Sequence, residues 1–163
     1  MEVALFEPRI PQNTGNIART CAAFNISLNL IEPLGFKIED KYLKRAGLDY
    51  WPLVEVNRYE NYENFNKFLT SKPTKRIISF SKKNGIYLKD FKFQENDVLL
   101  FGREDSGLPN CIIEKSDYLI TIFMPNLQTS KNDQKGVRSL NLSVACGIAI
   151  YEAHKQINFQ NGN

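Results

Sequence analysis

The chain has 163 residues, of which 42% are hydrophobic and 24% are charged, and its formal net charge is +3. These values predict one globular domain with a full hydrophobic core, and they exclude an intrinsically disordered chain. The small positive charge favours an anionic partner only weakly.

Short apolar runs alternate with amphipathic stretches, and this alternation predicts strands and helices in turn. In chain order we predict a strand over 3–6, a loop over 11–16, a helix from 17, a strand over 27–31, a polar helix near 40–46, a strand over 51–56, a helix over 62–69, strands over 76–81 and 98–101, a short helix over 109–115, a strand over 118–124, a polar loop over 125–138 and a long final helix. Several strands are apolar throughout, which is typical of a mostly parallel sheet with helices on both faces. The predicted class is therefore α/β, with one domain over 1–159 and a frayed tail over 160–163.

The final helix is unusually apolar at its start. It has no charged residue between Leu140 and Tyr151, so we expect it to be buried nearly all round. Ser139 is its predicted N-cap, whereas Asn141 falls in the first turn and would need a polar partner if buried.

Cysteine and histidine usage gives no sign of a disulfide framework or a metal centre. Cys21, Cys111 and Cys146 show no CxxC spacing, and His154 is the single histidine. We therefore expect a reduced, cytoplasmic protein with no metal site and no cysteine nucleophile. No apolar run reaches the roughly 20 residues of a membrane-spanning helix, so we expect no membrane association.

Three polar loops follow predicted strands, over 13–19, 102–107 and 124–141. Because ligands bind at the carboxyl ends of the strands in such sheets, these loops are the candidate site. Glycines at 102 and 107 would let the backbone approach a ligand, and Glu104 could bind a ribose hydroxyl or simply be solvated. Asn13 and Arg19 could be a helix cap and a surface residue, or an anion-directed helix start with an arginine for phosphate.

Two other sequence features bear on the ligand. No GxGxxG motif follows the first strand, which disfavours a dinucleotide-dependent oxidoreductase. Basic residues at 41, 44, 45, 82, 83, 131 and 135 are scattered along the chain and would suit nucleic acid if several shared one patch.

The three loops together resemble a known family. The segments 13–19 (NTGNIAR), 101–109 (FGREDSGLP) and 138–143 (RSLNLS) are similar to the three motifs of the SpoU branch of the SPOUT RNA 2'-O-methyltransferases. The segments 7–16, 31–36 and 45–50 extend the likeness to its small members, which consist of the catalytic domain alone and act on the wobble nucleotide of tRNA. The resemblance covers the chain from Val3 to about Ile157.

The resemblance implies a fold with a C-terminal trefoil knot, a homodimer, and S-adenosylmethionine as methyl donor. Its implied substrate is the ribose 2'-hydroxyl of a tRNA nucleotide, the wobble pyrimidine. The implied cofactor pocket comprises Phe80, Gly102, Ile122 and Ser139, mostly through backbone groups. The implied catalytic set comprises Arg19, Asn13, Glu104, Ser139 and Asn141.

Within that set, Glu104 and Asn141 are expected to order the loops and the cofactor or ribose. Arg19 is expected to face the RNA from the partner subunit, either as the proton-handling group or only as an electrostatic clamp. The family usually runs through Ile-Pro-Met into the third motif, whereas this chain has Ile122-Phe123-Met124-Pro125 and a polar extension over 126–136, which we predict to be mobile without RNA. The alternatives are methylation of another tRNA or rRNA site, and a non-catalytic knotted RNA-binding protein.

Overall fold

Seven strands form a single sheet in the part of the chain that the structure describes. That structure is a computed structural model, and it describes residues 1–37, 48–126 and 136–159. Every adjacent pair of strands is parallel, and the order across the sheet is β3-β2-β1-β6-β4-β7-β5. The strands are β1 Glu2–Phe6, β2 Ser27–Ile31, β3 Val56–Tyr59, β4 Arg76–Phe80, β5 Ile86–Tyr87, β6 Asp97–Phe101 and β7 Tyr118–Thr121. The predicted mostly parallel α/β sheet is thus confirmed.

Helices cover both faces of this sheet. Among the described residues the helices are α1 Pro11–Ala23, α2 Tyr62–Thr70, α3 Asn110–Ile113 and α4 Leu142–Phe159, with 3-10 helices at Leu48–Leu53 and Leu88–Asp90. On one face α1 and α4 contribute Ile17 and Ile150 to the larger hydrophobic core. On the other face α2 and α3 contribute Phe65 and Ile112 to a second core. The central strands are apolar throughout because both of their faces are buried.

The strand register brings four carboxyl ends to one edge of the sheet. Leu5 pairs with Phe101 across β1 and β6, and Phe80 pairs with Ile120 across β4 and β7. The segments that leave β1, β6, β4 and β7 therefore begin side by side. This is the edge at which parallel sheets bind ligands.

Two elements predicted in the N-terminal half of the chain were assigned to the wrong type. The stretch 11–16 is not a loop but the first turns of α1, which begins at Pro11; proline suits this position because the first N–H of a helix has no partner within it. The predicted strand over 51–56 is the 3-10 helix Leu48–Leu53, and Pro52 within it has no N–H to give to a sheet. The strand here is β3, which begins at Val56.

Other differences are smaller. The last strand ends at Thr121 rather than near 124, and β5 and the 3-10 helix after it were not predicted. The polar helix predicted near 40–46, most of the extension over 126–136 and the tail over 160–163 lie outside the described residues. None of the helices in the described ranges is long and apolar enough to cross a bilayer.

The last helix, α4, differs from its prediction in two ways. It begins at Leu142, and Asn141 rather than Ser139 caps it, because the Ser143 N–H donates to Asn141 Oδ1 at 2.9 Å. It is also not buried all round: Val144, Ile148 and Tyr151 are 50%, 39% and 60% exposed. Only the opposite face of α4 packs on the sheet and on α1, and this leaves an apolar stripe on the surface.

Candidate active site

Glu104, in the loop that follows β6, holds the start of α1. Its Oε2 accepts a hydrogen bond from the Arg9 N–H at 2.8 Å. Its Oε1 accepts from the Ile10 N–H at 3.2 Å and from Asn13 Nδ2 at 3.1 Å. Ile10 is the N-cap residue of α1 and has no side-chain cap of its own. The carboxylate therefore supplies from another loop the negative group that a helix start favours.

Asn13 links that carboxylate to the start of α4. Asn13 is only 4% exposed, and its Oδ1 accepts a hydrogen bond from Asn141 Nδ2 at 2.9 Å. Asn141 Oδ1 in turn accepts from the N–H and the hydroxyl of Ser143, at 2.9 and 2.7 Å. Each amide thus donates in one direction and accepts in the other. We call these three residues the Glu104–Asn13–Asn141 chain; it joins the three loops that the sequence singled out.

Two glycines, Gly102 and Gly107, allow the loop after β6 to form a tight turn. Arg103 and Gly107 exchange backbone hydrogen bonds at 3.2 and 2.9 Å, which closes a tight turn. A Cβ atom at Gly102 would lie 2.2 Å from the Gly107 carbonyl carbon, so no side chain fits there. Gly107 has a φ of +74°, a conformation that favours glycine, and the space beside it is open. The turn is what places Glu104 under α1.

Charged side chains around this turn are paired with one another. Arg103 Nε and Nη2 donate to the two carboxylate oxygens of Asp105 at 2.9 and 2.8 Å. These bonds hold the pKa of the Asp105 carboxyl well below its usual range. Glu7 Oε2 accepts from Arg9 Nη2 at 3.0 Å and from Arg103 Nη1 at 3.5 Å. The network ties the β1 end to the β6 turn and keeps both arginines at the edge of the site.

The residues expected to hold the cofactor follow neighbouring strands. Phe80 ends β4 and stacks on Phe101 at the end of β6, with ring centroids 4.5 Å apart and planes at 12°. Gly102 is buried directly after β6, and Ile122 is half-buried directly after β7. Ser139 is exposed and lies in the segment that leads to Asn141. Apolar side chains thus end two neighbouring strands at this edge, and the exposed Ser139 adds a hydroxyl in the segment before α4.

Arg19 stands apart from this set. It is exposed on α1, on the face that also presents Gln12 and Asn16. It lies six residues, or about 9 Å along the helix axis, from Asn13. The structure therefore brings Asn13, Glu104 and Asn141 together and leaves Arg19 on a separate outward face.

In the described part of the chain, the buried thiols and the acidic groups supply no second site. Burial raises the pKa of Cys21 to about 12 and raises the pKa of Cys146 well above its usual value, so neither is a thiolate nucleophile at neutral pH. Within the described ranges no three His, Cys, Asp or Glu side chains lie close enough together to hold a metal ion. Sequence reasoning did not identify Arg9, Glu7 or Arg103 as part of the site edge, because their pairing depends on the neighbouring ends of two strands, β1 and β6.

Comparison with known proteins agrees with the motifs. The sequence profile described as the SpoU rRNA Methylase family matches residues 1–151. The chain is 40% identical over 159 residues to the tRNA (cytidine(34)-2'-O)-methyltransferase of Aeromonas hydrophila, covering 98% of this chain and 96% of that protein.

Solved structures give the same picture. A structure that concerns 2-OH methylation of C/U34 on tRNA superposes with a TM-score of 0.86 at 41% identity, covering 99% of this chain and 97% of the other. An AdoMet-bound rRNA methyltransferase from Sinorhizobium meliloti superposes with a TM-score of 0.78 at 25% identity, covering 94% of this chain and 55% of the other.

Proposed function

The chain belongs to the SpoU rRNA methylase family, and we propose that it is an S-adenosylmethionine-dependent methyltransferase of tRNA that acts on the ribose 2'-hydroxyl of cytidine 34 or uridine 34. The observation that carries the proposal is the Glu104–Asn13–Asn141 chain, which joins all three family motifs at the carboxyl edge of the sheet. A tRNA substrate also implies a cytoplasmic location.

The residues at the sheet edge fit the cofactor that this family implies. Phe80 and Ile122 place apolar side chains at the ends of neighbouring strands, and the exposed Ser139 offers a hydroxyl to the polar parts of the cofactor. When bound, S-adenosylmethionine supplies an electrophilic methyl group on a sulfonium. We infer that Phe80, Gly102, Ile122 and Ser139 hold it there.

The protein's own residues have to place the ribose. With the cofactor bound, formation of the O–CH3 bond would be matched by cleavage of the sulfonium S–CH3 bond to leave a thioether, and the hydroxyl proton would pass to an RNA phosphate held beside Arg19. Asn13, Glu104 and Asn141 are positioning residues in this scheme, since they spend their hydrogen bonds on one another and on the backbone. Such positioning can supply much of the rate of a displacement that needs in-line geometry.

Arg19 is the residue we assign to the ribose and its phosphate. Because Arg19 lies on an outward face of α1, we propose that the reacting nucleotide reaches it from a second subunit. Guanidinium groups stay protonated in proteins, so a clamp on the developing charge is a simpler role than proton removal. Arg19→Lys keeps the positive charge and removes the planar guanidinium. Near-normal methylation by this variant would show that the guanidinium group itself is not needed.

The exposed apolar stripe on α4 supports a homodimer. Val144, Ile148 and Tyr151 lie on one side of a helix that packs against α1, which carries Arg19. Large contiguous apolar surface is typical of a subunit interface. A twofold contact through α4 and α1 would bring each Arg19 towards the other subunit's sheet edge.

The strand order is consistent with the proposed trefoil knot. β4 and β5 lie on either side of β7 in the sheet, so the connection over 81–85 crosses β7. A trefoil knot would require the chain that follows β7 to pass through the loop that this connection closes. A knot at this point would place the 81–85 segment and the start of α4 on the same pocket.

The proposal is tested by methyl transfer from labelled S-adenosylmethionine to total tRNA from cells that lack this protein, followed by nucleoside mapping. We expect one 2'-O-methylated pyrimidine, at position 34. No transfer to tRNA, with cofactor binding retained in calorimetry, would overturn the tRNA substrate and direct the assay to rRNA. Loss of both would leave the non-catalytic RNA-binding alternative.

A further inference from the structure

Two aromatic side chains lie together on the surface beside the candidate site. Tyr87 ends β5, and Phe123 follows β7; their ring centroids are 5.7 Å apart with planes at 88°. Tyr87 is 46% exposed and Phe123 is 65% exposed. We call Tyr87 and Phe123 the aromatic platform.

The platform lies on the edge that carries the motif loops. Tyr87 pairs with Thr121 in register, so both aromatic residues leave the sheet at its carboxyl end. Three strand spacings separate β5 from β6, which is about 14 Å. The platform therefore lies on the same edge of the sheet as Glu104 but several strands away from it, which suits a nucleotide near the reacting one rather than the reacting nucleotide itself.

Positive charge adjoins the platform. Lys82 and Lys83 are exposed in the connection over 81–85, which crosses β7. Two hydrogen bonds fix this connection to β7: Ser81 N–H to the Ile120 carbonyl and Gly85 N–H to Thr121 Oγ1, both at 2.9 Å. The two lysines are thus held at the sheet edge beside the aromatic rings.

We propose that the aromatic platform stacks an unpaired base of the anticodon loop next to the methylated nucleotide, while Lys82 and Lys83 contact the adjoining phosphates. The inference rests on the proposed function for the identity of the RNA. Exposed aromatic faces beside cationic side chains are the usual surface for unpaired bases of single-stranded RNA. The apolar rings bind the base faces, and the lysines supply the complementary charge.

The test is binding of a fluorescently labelled anticodon stem-loop RNA to the full-length protein. The variants Tyr87→Leu and Phe123→Leu keep apolar bulk and remove the ring; we expect each to weaken binding by about 5- to 100-fold, the range for loss of one stacked base. Tyr87→Phe and Phe123→Tyr keep the ring and should bind as the unaltered protein does. Lys82→Glu with Lys83→Glu should weaken binding more at low than at high salt, whereas Lys115→Glu, before the amino end of β7, should have no effect.

Two further measurements on the same variants decide what the rings contact. Cofactor affinity by calorimetry and the oligomeric state by light scattering should stay unchanged in the leucine variants. Unaltered RNA binding by those variants would overturn the platform. A parallel loss of cofactor affinity or of the dimer would also overturn it, by assigning the rings to the cofactor or to a second copy of the chain.

Methylation is read separately from binding, so the two proposals can fail independently. If the unaltered protein binds the stem-loop and the leucine variants do not, the platform stands even when position 34 is not methylated. If the unaltered protein methylates position 34 and the leucine variants bind and methylate equally well, the platform falls while the proposed function stands. Failure of the unaltered protein to bind the stem-loop overturns the platform.

Discussion

Replacing Glu104 with glutamine tests whether the β6 loop positions the start of α1. The carboxylate accepts three hydrogen bonds, from the Arg9 and Ile10 N–H groups and from Asn13 Nδ2. Glutamine has the same shape but keeps one acceptor oxygen, so its NH₂ group must face a donor. Either the bond from Arg9 or the pair from Ile10 and Asn13 is lost.

The size of the effect follows from these bonds. Hydrogen bonds to a charged group contribute about 1.5–3 kcal/mol each, and partial exposure of Glu104 reduces this. We expect Glu104→Gln to lower the free energy of unfolding by about 2–3 kcal/mol. For a domain of this size each kcal/mol shifts Tm by about 2–4 °C, so the expected decrease in Tm is about 4–12 °C.

Activity should fall further than stability alone explains. Glutamine at 104 releases Asn13, and Asn13 no longer fixes the Asn141 amide at the start of α4. A displacement of about 1 Å in such a site can cost about 100-fold in rate. The assay is methyl transfer to tRNA at a temperature at which circular dichroism shows both proteins folded.

Asp105→Asn is the matched control, because it removes the neighbouring carboxylate of the same turn. Asp105 is exposed and pairs with Arg103 rather than with α1, and exposed pairs contribute little to stability. We expect its Tm and its methylation rate to stay close to those of the unaltered protein. Equal effects of the two substitutions, or a normal rate with Glu104→Gln, would refute the positioning role.

Three further changes probe other parts of the molecule. Gly102→Ala places a Cβ 2.2 Å from the Gly107 backbone, so the turn must open; calorimetry should show weakened cofactor binding, and unchanged affinity would contradict the assignment of this turn to the pocket. Arg76 donates two hydrogen bonds to the fully buried Asp97 carboxylate, at 2.7 and 2.8 Å, and Arg76→Ala removes both. Urea unfolding should show that the free energy of unfolding falls by about 3–5 kcal/mol. Ile148→Asp puts a charge on the exposed apolar stripe of α4, and light scattering should show a monomer that remains folded; a dimer of normal affinity would place the interface elsewhere.

The sheet could be predicted from sequence because its strands are short, apolar and separated by breakers. The predicted strand over 27–31 and the helix over 62–69 match β2 and α2 closely, because each depends on its own periodicity. The start of α1 could not be predicted in the same way. Asn13, Thr14 and Gly15 are typical of a loop, but tertiary contacts with Glu104 and Asn141 hold them in a helix.

The exposed stripe of α4 shows a second limit of sequence reasoning. An apolar helix face indicates burial, but it does not say whether the covering surface comes from the same chain or from another. Val144, Ile148 and Tyr151 satisfy the pattern of a buried helix and still face outward. The wrong prediction of complete burial is thus itself an argument for a partner surface.

The candidate site divides its residues in a way that the motifs alone do not reveal. All three motifs supply polar side chains, and sequence gives no reason to rank them. The structure shows that Asn13, Glu104 and Asn141 bind one another, which commits their polar atoms to holding three loops in place. Arg19 lies on a different face of the same helix. The proposed homodimer would supply the second face from another subunit, and under that proposal the dimer and the role of Arg19 are tested together.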